Sequence, residues 1–206
     1  MYDPKGNSKE KAVNAVRFVE VEPPHHLRGI VHRFLELETD GTLEADYCFH
    51  ALPDACAYIV FDQLNSEITG VSKLRAQAEE FNLGRRFHFI NIRFLPGVWQ
   101  GESEQVSYGM LDTAYKGVLP LIDINRALAK GDFAAGQALL CELVELLIEK
   151  ELVAPNLVTD TIFQNLDDIQ SVADMASAAN LSARQLQRIL KSTTGFTQHD
   201  FLKVLR

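Results

Sequence analysis

Between Ser182 and Lys191 the chain reads SARQLQRILK, and its long polar side chains, Arg184, Gln185, Gln187, Arg188 and Lys191, include no acid. Arginine and glutamine present paired donors and acceptors that match base edges in the DNA major groove, while lysine and serine suit phosphate oxygens. The chemistry open to this set is recognition of duplex DNA. For that, the side chains must share an exposed face of a rigid element. Leu186, Ile189 and Leu190 recur at helical spacing and leave the polar residues outward, with Ser182 as N-cap and Gly195 past the last apolar turn. A shorter helix is expected just before it, capped by Ser171, carrying Val172, Met175 and Ala176, and ending at Asn180. Ala173, Ala176 and Ala179 are small enough for two helices to cross closely at a tight turn.

Charge is segregated along the chain. From Leu181 to Arg206 there are Arg184, Arg188, Lys191, Lys203 and Arg206 against Asp200, a net +4, which leaves −12 for the rest of a chain whose total is −8. A basic segment on an acidic body fits one part that meets DNA and another that does not.

The order of residues is more specific than the pattern. Ser182, Arg184, Leu186, Gln187, Arg188, Leu190, Lys191, Gly195, Phe196 and Thr197, followed by Phe201 and Arg206, closely resemble the first helix-turn-helix of AraC/XylS-family transcription regulators. Val172, Ala173, Met175 and Ala176 fit the same pattern, and the likeness covers roughly residues 160 to 206. The resemblance implies base contacts from Arg184, Gln187 and Arg188, with Ser182 and Lys191 on phosphate. Members of that family carry a second helix-turn-helix after a long joining helix; the sequence ends at Arg206, where that helix is expected to run, so the second unit is missing from it.

The first half of the chain must position this unit. Residues 1 to about 12 are polar, with disorder expected. From Val13 the code is strand-like: AVRFVEVEPP, closed by Pro23 and Pro24, then LRGIVHRFLELET before the turn signal Asp40-Gly41, then ADYCFHALPD, AYIVFD and FHFINIRFLPG. Short strands at this spacing predict an antiparallel sandwich or barrel. In FHFINIRF, Phe87, Phe89, Asn91 and Arg93 share one face and His88, Ile90, Ile92 and Phe94 the other. A strand apolar on both faces lies between layers or lines a pocket. PPHHLRGIVHRFLELE, ALPDACAYIVFD and INIRFLPG loosely resemble the effector-sensing domains of many AraC-type regulators, which are small cupin-like barrels with packed helices. The fold class expected is thus α+β, a β-rich cupin-like barrel followed by an all-α unit. Pocket residues drawn from strand faces are Tyr47, Phe49, His50, Phe61, Arg93 and Trp99, and the partner they imply is a small-molecule effector.

From Glu104 the period changes to that of helices. One is expected over 106–119, interrupted by Pro120, and the longest over 133–152. The apolar arc of the latter exceeds 200° when Leu139, Leu143 and Leu146, then Leu140, Val144 and Leu147, then Cys141 and Ile148 are laid out at 100° per residue, where a covering helix needs about 100°. The surplus is assigned to a two-fold homodimer through Leu140, Val144 and Leu147, with burial within the chain as the alternative. Pro155 and Asn156 mark a linker, which divides a sensing domain of 13–154, with its helical layer at 104–154, from a DNA-binding unit of 155–206.

The alternative function is a metal-binding enzyme built on His25, His26, His32, His50 and His88, since cupin-like barrels can hold a metal for oxygen or hydrolytic chemistry. His25 and His26 are adjacent, so they cannot share a strand face, and no nucleophile triad, carboxylate pair or phosphate loop is recognisable. No enzyme, metal or cofactor is expected. A third reading keeps the helix-turn-helix and makes the first half only an interaction module. Cys48, Cys56 and Cys141 are odd in number and lack CxxC spacing, and no stretch has the length of a membrane span or the form of a secretion signal, so a cytoplasmic protein is expected.

Overall fold

The computed structural model describes residues 15–51, 53–72, 78–101 and 113–205. Its strands are β1 (Val16–Val21), β2 (Val31–Thr39), β3 (Cys48–Ala51), β4 (Tyr58–Asp62), β5 (Thr69–Val71), β6 (Glu79–Asn82) and β7 (His88–Phe94). Five form an antiparallel sheet in the order β1-β2-β7-β4-β5, while β3 and β6 pair as a separate ribbon. The helices are α1 (Leu121–Leu128), α2 (Phe133–Glu149), α3 (Leu157–Gln164), α4 (Val172–Ala178), α5 (Ala183–Thr194) and α6 (Gln198–Val204). The class is α+β, as expected. The barrel is not: among the described residues the sheet stays open, with β1 and β5 at its edges.

Strand β7 shows why. Ile90, Ile92 and Phe94 join Phe34, Ile59, Phe61 and the leucines of α1 and α2 in the main core, whereas Phe87 and Phe89 join Leu37 and Leu43 in a smaller core under the ribbon. Both faces of the strand are covered, so the sheet is the middle of three layers. The expected helix over 106–119 is absent from 113–119, where the chain bends without a helix; 106–112 lie outside the described residues. Pro120 stands at the N-cap of α1 instead, as its fixed φ and missing N–H favour at a helix start.

Helix α2 begins where Asp132 accepts a hydrogen bond from the Ala135 amide and carries the broad apolar arc. The arc is spent inside the chain. Leu140, Val144 and Leu147 are fully buried in the main core between the sheet and α1, so this stripe is not a surface for a second subunit. Gly136 allows the close approach of α1: a Cβ there would stand 2.8 Å from Leu128 Cδ2.

A second core gathers Ile162, Phe163, Ile169, Met175, Ala176, Leu186, Leu190, Phe196, Phe201 and Leu205 from the last four helices. It is not sealed from the first half of the chain, because Ala55, at φ +56° in the loop between β3 and β4, is fully buried in it. The loop after β7 is the other point of attachment. Asn156 Nδ2 donates to Gly97 O at 3.0 Å and Thr159 Oγ1 to Pro96 O at 2.9 Å. Gly97 has φ +79°, and a Cβ on it would meet Asn156 Nδ2 at 2.8 Å and Thr193 Oγ1, near the end of α5, at 3.3 Å. Only glycine satisfies both the backbone angle and the gap.

Candidate nucleic-acid interface

Helices α4 and α5 are placed by reciprocal caps. Ser171 Oγ accepts from the Asp174 amide and Asp174 Oδ2 accepts from the Ser171 amide; Ser182 and Gln185 repeat the arrangement at α5. Between them Asn180 takes φ +52°, a left-handed conformation that asparagine tolerates better than most residues and that turns the chain sharply. Leu186 and Leu190 are buried against Met175 and Phe201, and Gly195 at φ +74° ends α5. The helix is therefore anchored by its apolar stripe and free on the opposite side.

The six residues expected on that side divide by role. Arg184 and Arg188, one turn apart, are exposed and make no ion pair with any described residue. Lys191 is exposed too, but its Nζ donates to Gly195 O at 2.8 Å and so caps the helix end with one of three donors. Gln187 is half-buried; its Oε1 accepts from the Gln198 amide at 3.2 Å, which ties α5 to the start of α6 and leaves the amide NH₂ to point elsewhere. Ser182 and Gln185 are exposed and engaged in the cap. Asp174 and Asp200 are held at the starts of α4 and α6, where Asp200 Oδ2 accepts from Thr197 Oγ1 at 2.6 Å, and α5 itself contains no acid. The result is a rigid cationic face, the arrangement a major-groove reader uses.

The expected pocket residues do not converge. Phe61 is fully buried among the main-core side chains, Trp99 packs edge-on against Phe94 with ring centroids 5.6 Å apart, and Tyr47 and Phe49 cover the smaller core. His50 is exposed beside Glu80 at 3.2 Å. Arg93 is buried: its Nε donates to His32 Nδ1 at 2.8 Å and its Nη2 to Glu20 Oε1 at 2.9 Å. Because His32 Nδ1 accepts, a neutral ring carries its proton on Nε2. Next to Arg93 the Tyr58 hydroxyl donates to Asp54 Oδ2, and Asp54 Oδ1 accepts from the Cys56 amide. Burial, then the Asp54 carboxylate, push both the Cys56 thiol and the Tyr58 phenol well above their ordinary values, so both stay protonated.

Among the described residues no three of the histidines gather into a ligand set, and His26 lies against Glu145 at 3.1 Å on the surface. Among the described residues one set of three potential ligands comes close enough to share an ion, Glu36, Glu38 and His88. Arg17 already pairs with both carboxylates there. No helix among the described residues is long and apolar enough to cross a membrane.

A cavity of about 410 Å³ lies elsewhere, between the Pro23–Pro24 corner and α3, lined by Glu22, Arg28, His32, Arg33, Asp160 and Phe163 among others. Its walls come from segments more than a hundred residues apart in the chain, which no sequence period joins. The charged string around two prolines was the available signal.

Compared with protein families, residues 19–101 match a family described as a domain of unknown function, DUF6597. The match spans most of the sheet and the ribbon and ends before α1. No curated protein and no solved structure matches the chain.

Proposed function

We propose that the protein is a DNA-binding transcription regulator of the AraC type, whose β-rich half senses a small ligand and whose last four helices contain a recognition helix. The observation that carries this is the outward face of α5, where Arg184 and Arg188 stand exposed on a doubly capped, acid-free helix that crosses α4 at a tight turn. The sequence motif at 182–197 supports the same reading, and domains of the kind matched at 19–101 occur in AraC-like regulators. Arg188 is assigned to a guanine, since a bidentate arginine on O6 and N7 is the commonest specific contact. Lys191 is assigned to phosphate. No catalytic role is assigned to any residue. A homodimer would pair two such helices on one operator, through a surface other than the buried stripe of α2.

The test is a fluorescence-anisotropy titration against the DNA upstream of the protein's own gene, beside a scrambled duplex, at two salt concentrations. Specific regulation requires a preference of about a hundredfold or more for the true site. Equal, weak and steeply salt-dependent binding to both would reject it.

A further inference from the structure

The cavity between the two halves is built around an arginine with a poor partner. Arg33 follows the irregularity at which β2 shifts register against β7, and its side chain is only 17% exposed. Its Nη1 is fixed by donation to His32 O at 2.8 Å, while its Nη2 lies 3.5 Å from Glu22 Oε1, well beyond the 2.7–2.9 Å of a good charge-assisted bond. Glu22 is half-exposed and shared with Arg28, whose Nη2 is 3.2 Å from Oε2. A carboxylate thus already rests loosely where two guanidinium groups converge, and it can swing into solvent. The rest of the lining includes Pro23, Val31, Leu95 and Phe163, which offer an apolar surface, and Asp160, whose Oδ2 accepts from Gln164 Nε2 at 2.8 Å on the α3 side.

We propose that this cavity binds a small aromatic carboxylate, its carboxylate replacing Glu22 on Arg33 and its ring lying against Phe163 and Leu95. A monoanion fits better than a phosphate ester, because Asp160 adds a negative charge on the α3 side of the same cavity. The volume lies at the low end of the usual range for small-molecule sites, which favours a one- or two-ring ligand. Such a ligand would touch the β1–β2 corner and α3 at once. Phe163 also belongs to the helical core and lies 6.2 Å, centroid to centroid, from Phe201, so occupancy bears on the packing behind α5. For that consequence the inference rests on the regulator reading; for binding itself it does not.

The experiment is thermal unfolding and calorimetric titration of the full chain, without DNA, using indole-3-acetate and benzoate, with indole-3-acetamide and tryptamine as the uncharged and cationic counterparts. At least one carboxylate should raise Tm saturably, and the amide and amine should bind at least about tenfold more weakly. Arg33→Gln should weaken the carboxylate at least about tenfold. Glu22→Gln, at a half-exposed position, should tighten it by removing the resident competitor, an effect no purely structural role produces. Absence of a shift with both carboxylates, equal binding of the amide, or weaker binding by Glu22→Gln would overturn the assignment. Because DNA is absent, a failed operator titration leaves these results standing.

Discussion

At the scale of single residues, exposure and partners separate side chains that look alike in the sequence. Arg184, Arg188 and Arg93 are all arginines on regular elements, yet the first two are exposed without an ion-pair partner among the described residues while Arg93 is buried between Glu20 and His32. Under the proposed function, Arg188→Ala costs about 1–3 kcal/mol at the true site and relaxes preference at one base pair. Lys191→Ala weakens all sequences alike and lowers the salt slope by about one. Anisotropy on specific and random duplexes distinguishes the two, and identical behaviour would reject the role assignment. The buried Tyr58 makes a second, independent prediction. Its phenol, raised well above the ordinary 10.0, stays protonated in the folded chain while it ionises in the unfolded one. Unfolded protein then binds fewer protons, so this contribution is complete below pH 10 and is lost as pH rises toward the folded value. Tyr58→Phe should flatten the alkaline fall in stability by about 1.4 kcal/mol per pH unit above pH 10, measured by urea unfolding.

At the scale of elements, what could be read from the sequence was whatever a single period or cap determines. The face division of β7 was legible because alternation needs only its own residues. The N-caps Ser171 and Ser182 were legible for the same reason. The two short strands β5 and β6, three and four residues long, fell in what reads as a polar interval. Openness of the sheet was illegible, since closure depends on pairing between strands distant in sequence. The wide arc of α2 is legible as excess apolar surface, but the expected recipient, a second subunit, is not the one the structure shows. The recipient is the chain's own sheet and α1, so Leu140→Ala should lower stability by about 2–5 kcal/mol while leaving the sedimentation coefficient unchanged. A shift in oligomeric state instead would return that stripe to an interface. Among site residues, the polar face of α5 could be read because it is one element; the cavity joins the Pro23–Pro24 corner to α3 and so could not.

At the scale of the whole molecule, the sheet and the helical unit have separate cores that meet at Ala55 and at the loop after β7, where Asn156 Nδ2 donates to Gly97 O and Thr159 Oγ1 to Pro96 O. These joints make the two halves mechanically dependent. Trp99, the single tryptophan, lies two residues after Gly97, paired with Val153 against the main core. Its fluorescence and the far-ultraviolet circular dichroism should therefore report coincident thermal transitions. Gly97→Ala, which forces a Cβ into Asn156 at a positive φ, should cost about 1–3 kcal/mol and separate the two transitions. Coincident transitions in that variant would show that the joint is not what couples the halves.

The cap of α5 carries a trade-off of its own. Its partner helix closes the equivalent box with a carboxylate, Asp174, whereas α5 uses the neutral amide of Gln185. A glutamate there would make the same hydrogen bond and complement the helix dipole, a gain of about 0.3–1 kcal/mol. It would also set an anion beside the exposed Arg184 and Arg188, on the face assigned to DNA in the proposed function. Engineering for heat tolerance alone would make that exchange, and under the proposed function the protein so improved would hold its fold longer while losing its hold on DNA.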